Sequence, residues 1–132
     1  MEKKISRITA DAVIIENGKI LLIKRGREPF RGSWALPGGH VEYNEVVEDT
    51  MVREAREETG LDVEPAGIVG VYSKPGRDPR GHYVTIAYLA RVRGGCPRPG
   101  DDAEDVRWWP LDNLPEMAFD HAEIIRDAEG LV

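Results

Sequence analysis

Two aliphatic and β-branched runs open the chain. In "RITADAVIIENGKILLIKRG" they flank Asn17-Gly18, a dipeptide suited to a tight two-residue turn, and together they predict a β-hairpin. "EPFRGSWALPGGHVE" is interrupted by Gly32, Pro37, Gly38 and Gly39, so it reads as loop with one short strand near Trp34 to Leu36. A helical period takes over from about Asn44, a suitable N-cap, and stops at Gly60, a suitable residue just past a helix end. A strand is predicted around Ala66 to Tyr72, then a turn-rich loop at "PGRDPRG" and a clear strand in "HYVTIAYLARV". "RGGCPRPGDD" reads as loop, and "EDVRWWPL" starts a strand that Pro110 ends. "DHAEIIRDAE" predicts a C-terminal helix capped by Asp120 and closing at Gly130. Trp108 and Trp109 are adjacent in a strand, so one is expected in the core and the other outside it. With no repeat, linker or low-complexity segment, the pattern predicts one mixed α/β domain.

The central helix carries a stripe that hydrophobic patterning alone does not explain. At about 100° per residue, Glu58 falls roughly 40° from Glu54, and Glu57 roughly 60° to the other side. Val47, Met51, Val52 and Ala55 occupy the neighbouring arc, so the acidic stripe abuts the apolar one. Glu54 and Glu58 repel each other at i,i+4, and Glu58 is expected to be partly desolvated. Arg53 reaches Asp49 and Glu57 at the same spacing, which leaves Glu54 and Glu58 without neutralisation. Such a face is either a solvated helix with internal ion pairs or a seat for a cation. Grouped hard oxygens suit Mg²⁺ or Mn²⁺. Gly38 and Gly39 are expected to turn the backbone tightly, letting a carbonyl approach the same cluster without a Cβ in the way.

Composition narrows the partners. The chain has 132 residues, 41% hydrophobic and 32% charged, which suits an ordinary globular domain. No run approaches the ~18 apolar residues of a membrane span. "MEKKISRITADAVII" lacks a signal-peptide core, and the single cysteine, Cys96, suits a reducing compartment; a cytoplasmic location and an exposed loop thiol are expected. The net charge of −6 argues against nonspecific nucleic-acid binding, yet a local metal or arginine still allows a phosphate-containing small molecule.

Spacing then decides between the two readings of the helix. Gly39 is followed by five residues and Glu45, then seven residues and Arg53-Glu54, then Glu57-Glu58, Gly60 and Leu61. That pattern matches every fixed position of the Nudix box, a coincidence on the order of 10⁻⁸ to 10⁻⁹ at average residue usage. The chain resembles the Nudix hydrolases, and the hairpin, "WALPGG" and "VRWWPLDNLP" extend the resemblance over nearly its whole length.

The resemblance implies an α/β/α sandwich around a mixed sheet. It implies hydrolysis of a nucleoside diphosphate linked to a further moiety, with Mg²⁺ or Mn²⁺ neutralising carboxylates and diphosphate and activating water. By position in the box, Glu57 and Glu58 are implied as the main metal ligands and the Gly38 carbonyl as a further one. Glu54 is implied as ligand or base, and Arg53 and Glu45 as holding loop and helix in place. A looser likeness of "GRDPRGHYVTIAYLA" and "AFDHAEII" to bacterial and archaeal ADP-ribose pyrophosphatases implies ADP-ribose as substrate, giving AMP and ribose 5-phosphate. Arg77 and Arg80 are then candidates for the phosphate or ribose side, although both, and Arg77 more than Arg80, also suit a solubilised turn. Phe119 is a candidate pocket residue along with Asp120 and His121, while Asp120 alone equally suits an N-cap. His82 reads as a strand-start surface residue. A second candidate base lies in "GDDAED": Glu104 reaches further than Asp101 or Asp102, and Asp105 comes next. Two other functions stay open: a pyrophosphatase of nucleoside triphosphates, oxidised ones included, and a non-catalytic domain sensing ADP-ribose-like ligands. The intact carboxylate set and the lack of room for a DNA-binding domain argue against the sensor. A homodimer is expected by analogy.

Overall fold

Along the chain the elements are β1 (Arg7–Val13), β2 (Ile15–Glu16), β3 (Lys19–Arg25), β4 (Trp34–Ala35), β5 (Gly38–His40), α1 (Val47–Thr59), β6 (Leu61–Tyr72), β7 (Tyr83–Gly95), β8 (Ala103–Pro110) and α2 (His121–Glu129). They are taken from a computed structural model that describes residues 3–100 and 102–132. One sheet runs β5-β1-β7-β6; β1 is parallel to β7 and antiparallel to β5, so the sheet is mixed. In the other, β2, β4 and β8 all pair with β3.

Alternation along the central strands builds two cores. Ala10, Ala12 and Ile14 face Met51 and Ala55 of α1, whereas Val13, Ile20, Leu22 and Ala87 face Ile124, Ile125 and Ala128 of α2. Each helix buries one apolar stripe against its own core, which gives the α/β/α arrangement the resemblance implies. Among the described residues, no helix is long and apolar enough to cross a membrane.

Several local expectations change. The hairpin turn forms, with positive φ at Asn17 (52°) and Gly18 (74°) as a type I′ turn requires. It pairs only Ile15 with Ile20 and Glu16 with Lys19. β1 leaves β3 and enters the first sheet between β5 and β7, where both faces of Ala10 to Ile14 are buried. A two-stranded hairpin would leave one face wet, so burial overrides the local turn. β6 begins at Leu61, earlier than predicted. Its pairing with β7 shifts register between Asp62 and Val63 and twice more across Pro65 and the following glycines, and those breakers hid its first half.

Asn44 is not the N-cap. It holds a left-handed φ of 65°, and α1 starts at Val47 after an extended Val46 with no side-chain cap. Gly60 does end the helix in the left-handed conformation, its N–H bonded to Arg56 O at 2.9 Å. Both tryptophans pack inward. Trp108 joins the α1-side core and Trp109 the α2-side core, where its ring lies 5.1 Å from that of Trp34.

Candidate active site

Gly38 and Gly39 do not turn the chain. They are extended in β5, opposite Asp11 and Ala10 of β1. A Cβ on Gly38 would strike the Asp11 carboxylate, and one on Gly39 the Glu54 carboxylate. Glycine is needed here for close approach, with acids crowding this strand from both sides.

Arg53 organises the helix end of that crowd. Its guanidinium grips Glu45 with two bonds (Nε–Oε2 2.7 Å, Nη2–Oε1 3.0 Å), bonds Glu54 at 2.8 Å and Glu57 at 3.3 Å, and donates to the His40 carbonyl at 3.2 Å. The sequence reading left Glu54 without a cation; the structure corrects this, because Arg53 turns toward the box loop and meets Glu54 on the way. Glu45 also accepts the Glu42 N–H and the Thr50 hydroxyl. The bonds from Arg53 and Thr50 hold its carboxyl down at about 2. This clamp fixes the loop before α1 to the helix.

Glu58 is outside the clamp. It accepts the Gly38 N–H at 2.8 Å, and burial pushes its carboxyl up to about 8, helped by the nearby charges of Glu54 and Asp11. Asp11 is 5% exposed and is pushed up to about 7, chiefly by burial. Asp11 Oδ2 lies 3.3 Å from Nε2 of His121, the first residue of α2. His121 Nδ1 accepts the Leu36 N–H at 3.1 Å, which leaves the proton on Nε2, aimed at Asp11. Burial lowers the imidazole to about 4, so it is neutral at ordinary pH. Sequence reasoning missed Asp11; its signal was a lone charge inside an apolar strand.

These acids form one wall of a cavity of about 600 Å³, a size that suits a small-molecule ligand. Arginines and an aromatic ring line it too, together with Asp78 and Asp102. Arg80 pairs with Asp78 through two bonds (2.8 and 3.1 Å) and lies 5.0 Å from the Tyr83 ring and 5.6 Å from that of Phe119. Arg25, absent from the sequence-based set, sits 5.0 Å over Phe119 with a buried Nη2 that has no hydrogen-bond partner among the described residues. Phe119 holds a positive φ of 52° that turns its ring to the cavity wall.

Arg77 is not a surface turn residue. Its side chain is 5% exposed and grips Asp120 with two bonds (2.7 and 2.8 Å), with further bonds to Thr85 and the Tyr83 carbonyl. Asp120 therefore spends its carboxylate on Arg77 and caps no helix N–H with it. Together they tie the loop before β7 to the start of α2.

Of the loop acids, Glu104 is not among the residues lining the cavity, whereas Asp102 is; Asp102 also pairs with Arg27 at 3.2 Å. β8 begins at Ala103, so Glu104 is held in the strand. Asp105 bonds Arg107 and its own strand. Asp101 lies outside the described residues. His82 bridges Ser6 and the Ser73 carbonyl away from the cavity, and Cys96 is exposed.

The donor set fits a hard divalent cation. Glu54, Glu57 and Glu58 border one cavity, and glycines admit the acids to the backbone of β5. Among the described residues, no three acids already close round one point; Glu54 and Glu57 are turned to Arg53.

Comparison with known proteins agrees with this arrangement. The sequence model of the NUDIX domain matches residues 6–128. A Methanocaldococcus jannaschii protein named ADP-ribose pyrophosphatase is 50% identical over 120 residues, 91% of this chain and 71% of that protein. A MutT/nudix family protein from Enterococcus faecalis superposes with a TM-score of 0.85 at 36% identity, covering all of this chain and 64% of the other. A bifunctional NMN adenylyltransferase/ADP ribose pyrophosphatase from Francisella tularensis, complexed with AMP and a Mn ion, gives 0.84 at 28% identity, covering 99% of this chain and 43% of the other. The chain thus spans less than two thirds of both structural relatives. On the matched profile and the half-identical relative, the chain belongs to the Nudix family and is a Nudix pyrophosphohydrolase.

Proposed function

We propose that the chain hydrolyses ADP-ribose to AMP and ribose 5-phosphate, using Mg²⁺ or Mn²⁺ held by Glu57, Glu58, Glu54 and the Gly38 carbonyl. The observation that carries this reading is that one cavity is lined both by carboxylates of α1 and by Arg25 and Arg80 around Phe119. A diphosphate ester presents both a group for the carboxylates, through a cation, and anionic and planar parts for the arginines and the ring. The bound cation would neutralise carboxylates and diphosphate and lower the pKa of an associated water.

The chain's own groups supply the rest. Glu54, oriented by Arg53, accepts the proton of the attacking water. Water oxygen bonds to phosphorus as the bridging P–O bond breaks, and the departing phosphate keeps the bridging oxygen. Arg80 binds the anionic or ribose side, and Phe119 offers a ring face. Arg77 contributes by fixing its loop to α2 through Asp120. The substrate is supported by the relatives from Methanocaldococcus jannaschii and Francisella tularensis, both named as ADP-ribose pyrophosphatases.

A substrate panel with Mg²⁺ tests this: ADP-ribose, NADH, sugar nucleotides and nucleoside triphosphates. ADP-ribose is expected to give the highest kcat/KM, with AMP and ribose 5-phosphate as products. Arg80→Ala is expected to raise KM more than it lowers kcat. Preference for a nucleoside triphosphate overturns the substrate and leaves the pyrophosphohydrolase chemistry standing.

A further inference from the structure

Three carboxylates, not two, press on residues 38 and 39. Glu58 takes the Gly38 N–H from one side. Asp11 lies across β1 at the register position of Gly38, close enough that any side chain there would strike its Oδ1. Glu54 stands against Gly39 in the same manner. All three border the cavity. Asp11 comes from a different element than the box glutamates and lies outside the box motif, so spacing along α1 says nothing of it.

An acid 95% out of solvent in an otherwise apolar strand needs a reason. Its closest polar side-chain partner among the described residues is His121, and that imidazole is built as an orienting group. The Leu36 N–H occupies Nδ1, so Nε2 carries the proton that points at Asp11 Oδ2. A neutral donor does little to offset a buried carboxylate charge, and the Arg77 guanidinium that also favours that charge has its donors bonded to Asp120, Thr85 and the Tyr83 carbonyl. The chain Leu36 N–H, His121, Asp11 instead resembles the outer partners that fix a ligating group at a metal centre.

We infer that Asp11 is a further carboxylate facing the divalent cation, opposite Glu58 across Gly38, and that His121 is its positioning residue. The inference rests on the metal-dependent reading above and adds β1 and α2 to a site otherwise built from α1 and β5. The arrangement links the cation to the start of α2, two residues past Phe119, so the carboxylates and the aromatic ring share one support.

The test is Mn²⁺ affinity, read by electron paramagnetic resonance of free Mn²⁺, alongside thermal melting in chelator, for wild type, Asp11→Asn, His121→Gln and Glu58→Gln. Asparagine keeps an oxygen for the His121 N–H and removes the charge. Asp11→Asn is expected to weaken Mn²⁺ binding by about 10-fold or more, with His121→Gln showing a smaller loss, on the scale of outer-partner changes at metal sites. Melting of Asp11→Asn in chelator is expected to equal or exceed wild type. Mn²⁺ affinity unchanged in Asp11→Asn, with Glu58→Gln impaired, overturns the inference and keeps the metal reading. Unchanged affinity in both overturns both. Should Asp11→Asn not fold, Asp11→Ser takes its place, judged by the same affinity criterion.

Discussion

Glu58 is the residue where burial and charge conflict most openly. Its carboxyl is pushed up to about 8 by its surroundings, and its hydrogen-bond donor is a backbone N–H rather than an arginine. Glu58→Gln is therefore expected to cut turnover by at least 10²-fold at saturating Mg²⁺. In chelator the same variant is expected to melt at or above the wild-type temperature, since a crowded acid has been removed. A fold-preserving variant with near-wild-type turnover would defeat the assignment. The base is a second question at this scale. Glu54→Gln is expected to lower kcat by 10²–10⁴-fold, the usual cost of a lost base, and Glu104→Gln by less, since Glu104 does not line the cavity. If Asp102→Asn matches the loss of Glu54→Gln with Mn²⁺ affinity intact, the base is in the loop. The box glutamates Glu54, Glu57 and Glu58 were legible because their chemistry is local, three residues within five positions of one helix. Asp11 was not. In a two-stranded hairpin a charge beside Ala10 and Ala12 points to water, and only insertion of β1 between β5 and β7 encloses it.

At the scale of elements, α1 was readable at its C-terminal end and misread at its start. Gly60 has a φ of 78°, and an added Cβ would press on the Cys96 carbonyl and the Arg98 side chain. Gly60→Ala is expected to cost about 1 kcal/mol or more, seen as a lower urea midpoint with an unchanged slope. No residue caps the start through its side chain; the Glu45–Arg53 clamp organises that loop, and ion-pair geometry of this kind cannot be read from propensity. The same holds for Arg77 and Asp120, 43 residues apart. Their pairing depends on the fold being complete, so local reading left Arg77 between a substrate contact and a turn, and Asp120 between the pocket and a cap. Asp120→Ala strands a buried guanidinium and is expected to destabilise by about 3–5 kcal/mol, measured by denaturant unfolding. Asp120→Asn, keeping one acceptor, is expected to lose less and to raise the KM for substrate.

For the whole molecule, the buried acids make stability depend on pH and cation together. Without metal, Asp11 titrates near 7 when folded against 3.8 as reference, and Glu58 near 8 against 4.5. Between each pair of values the folded chain holds the extra proton, so stability falls as pH rises through that window. His121 works the other way: about 4 when folded against 6.5, it leaves the folded chain short of a proton and makes stability rise over that interval. The two effects oppose each other below pH 6.5. Above it only the acids remain, and the melting temperature in chelator is expected to fall steadily from pH 6.5 toward pH 8. Divalent cations bind the deprotonated carboxylates and stabilise the folded form by mass action, more strongly at higher pH. Saturating Mg²⁺ is thus expected to flatten or reverse the slope, and Glu58→Gln to shrink both the fall in chelator and the rescue by Mg²⁺. A chelator slope identical in wild type and Glu58→Gln would show that the charge crowding at β5 is not what couples the fold to its cation.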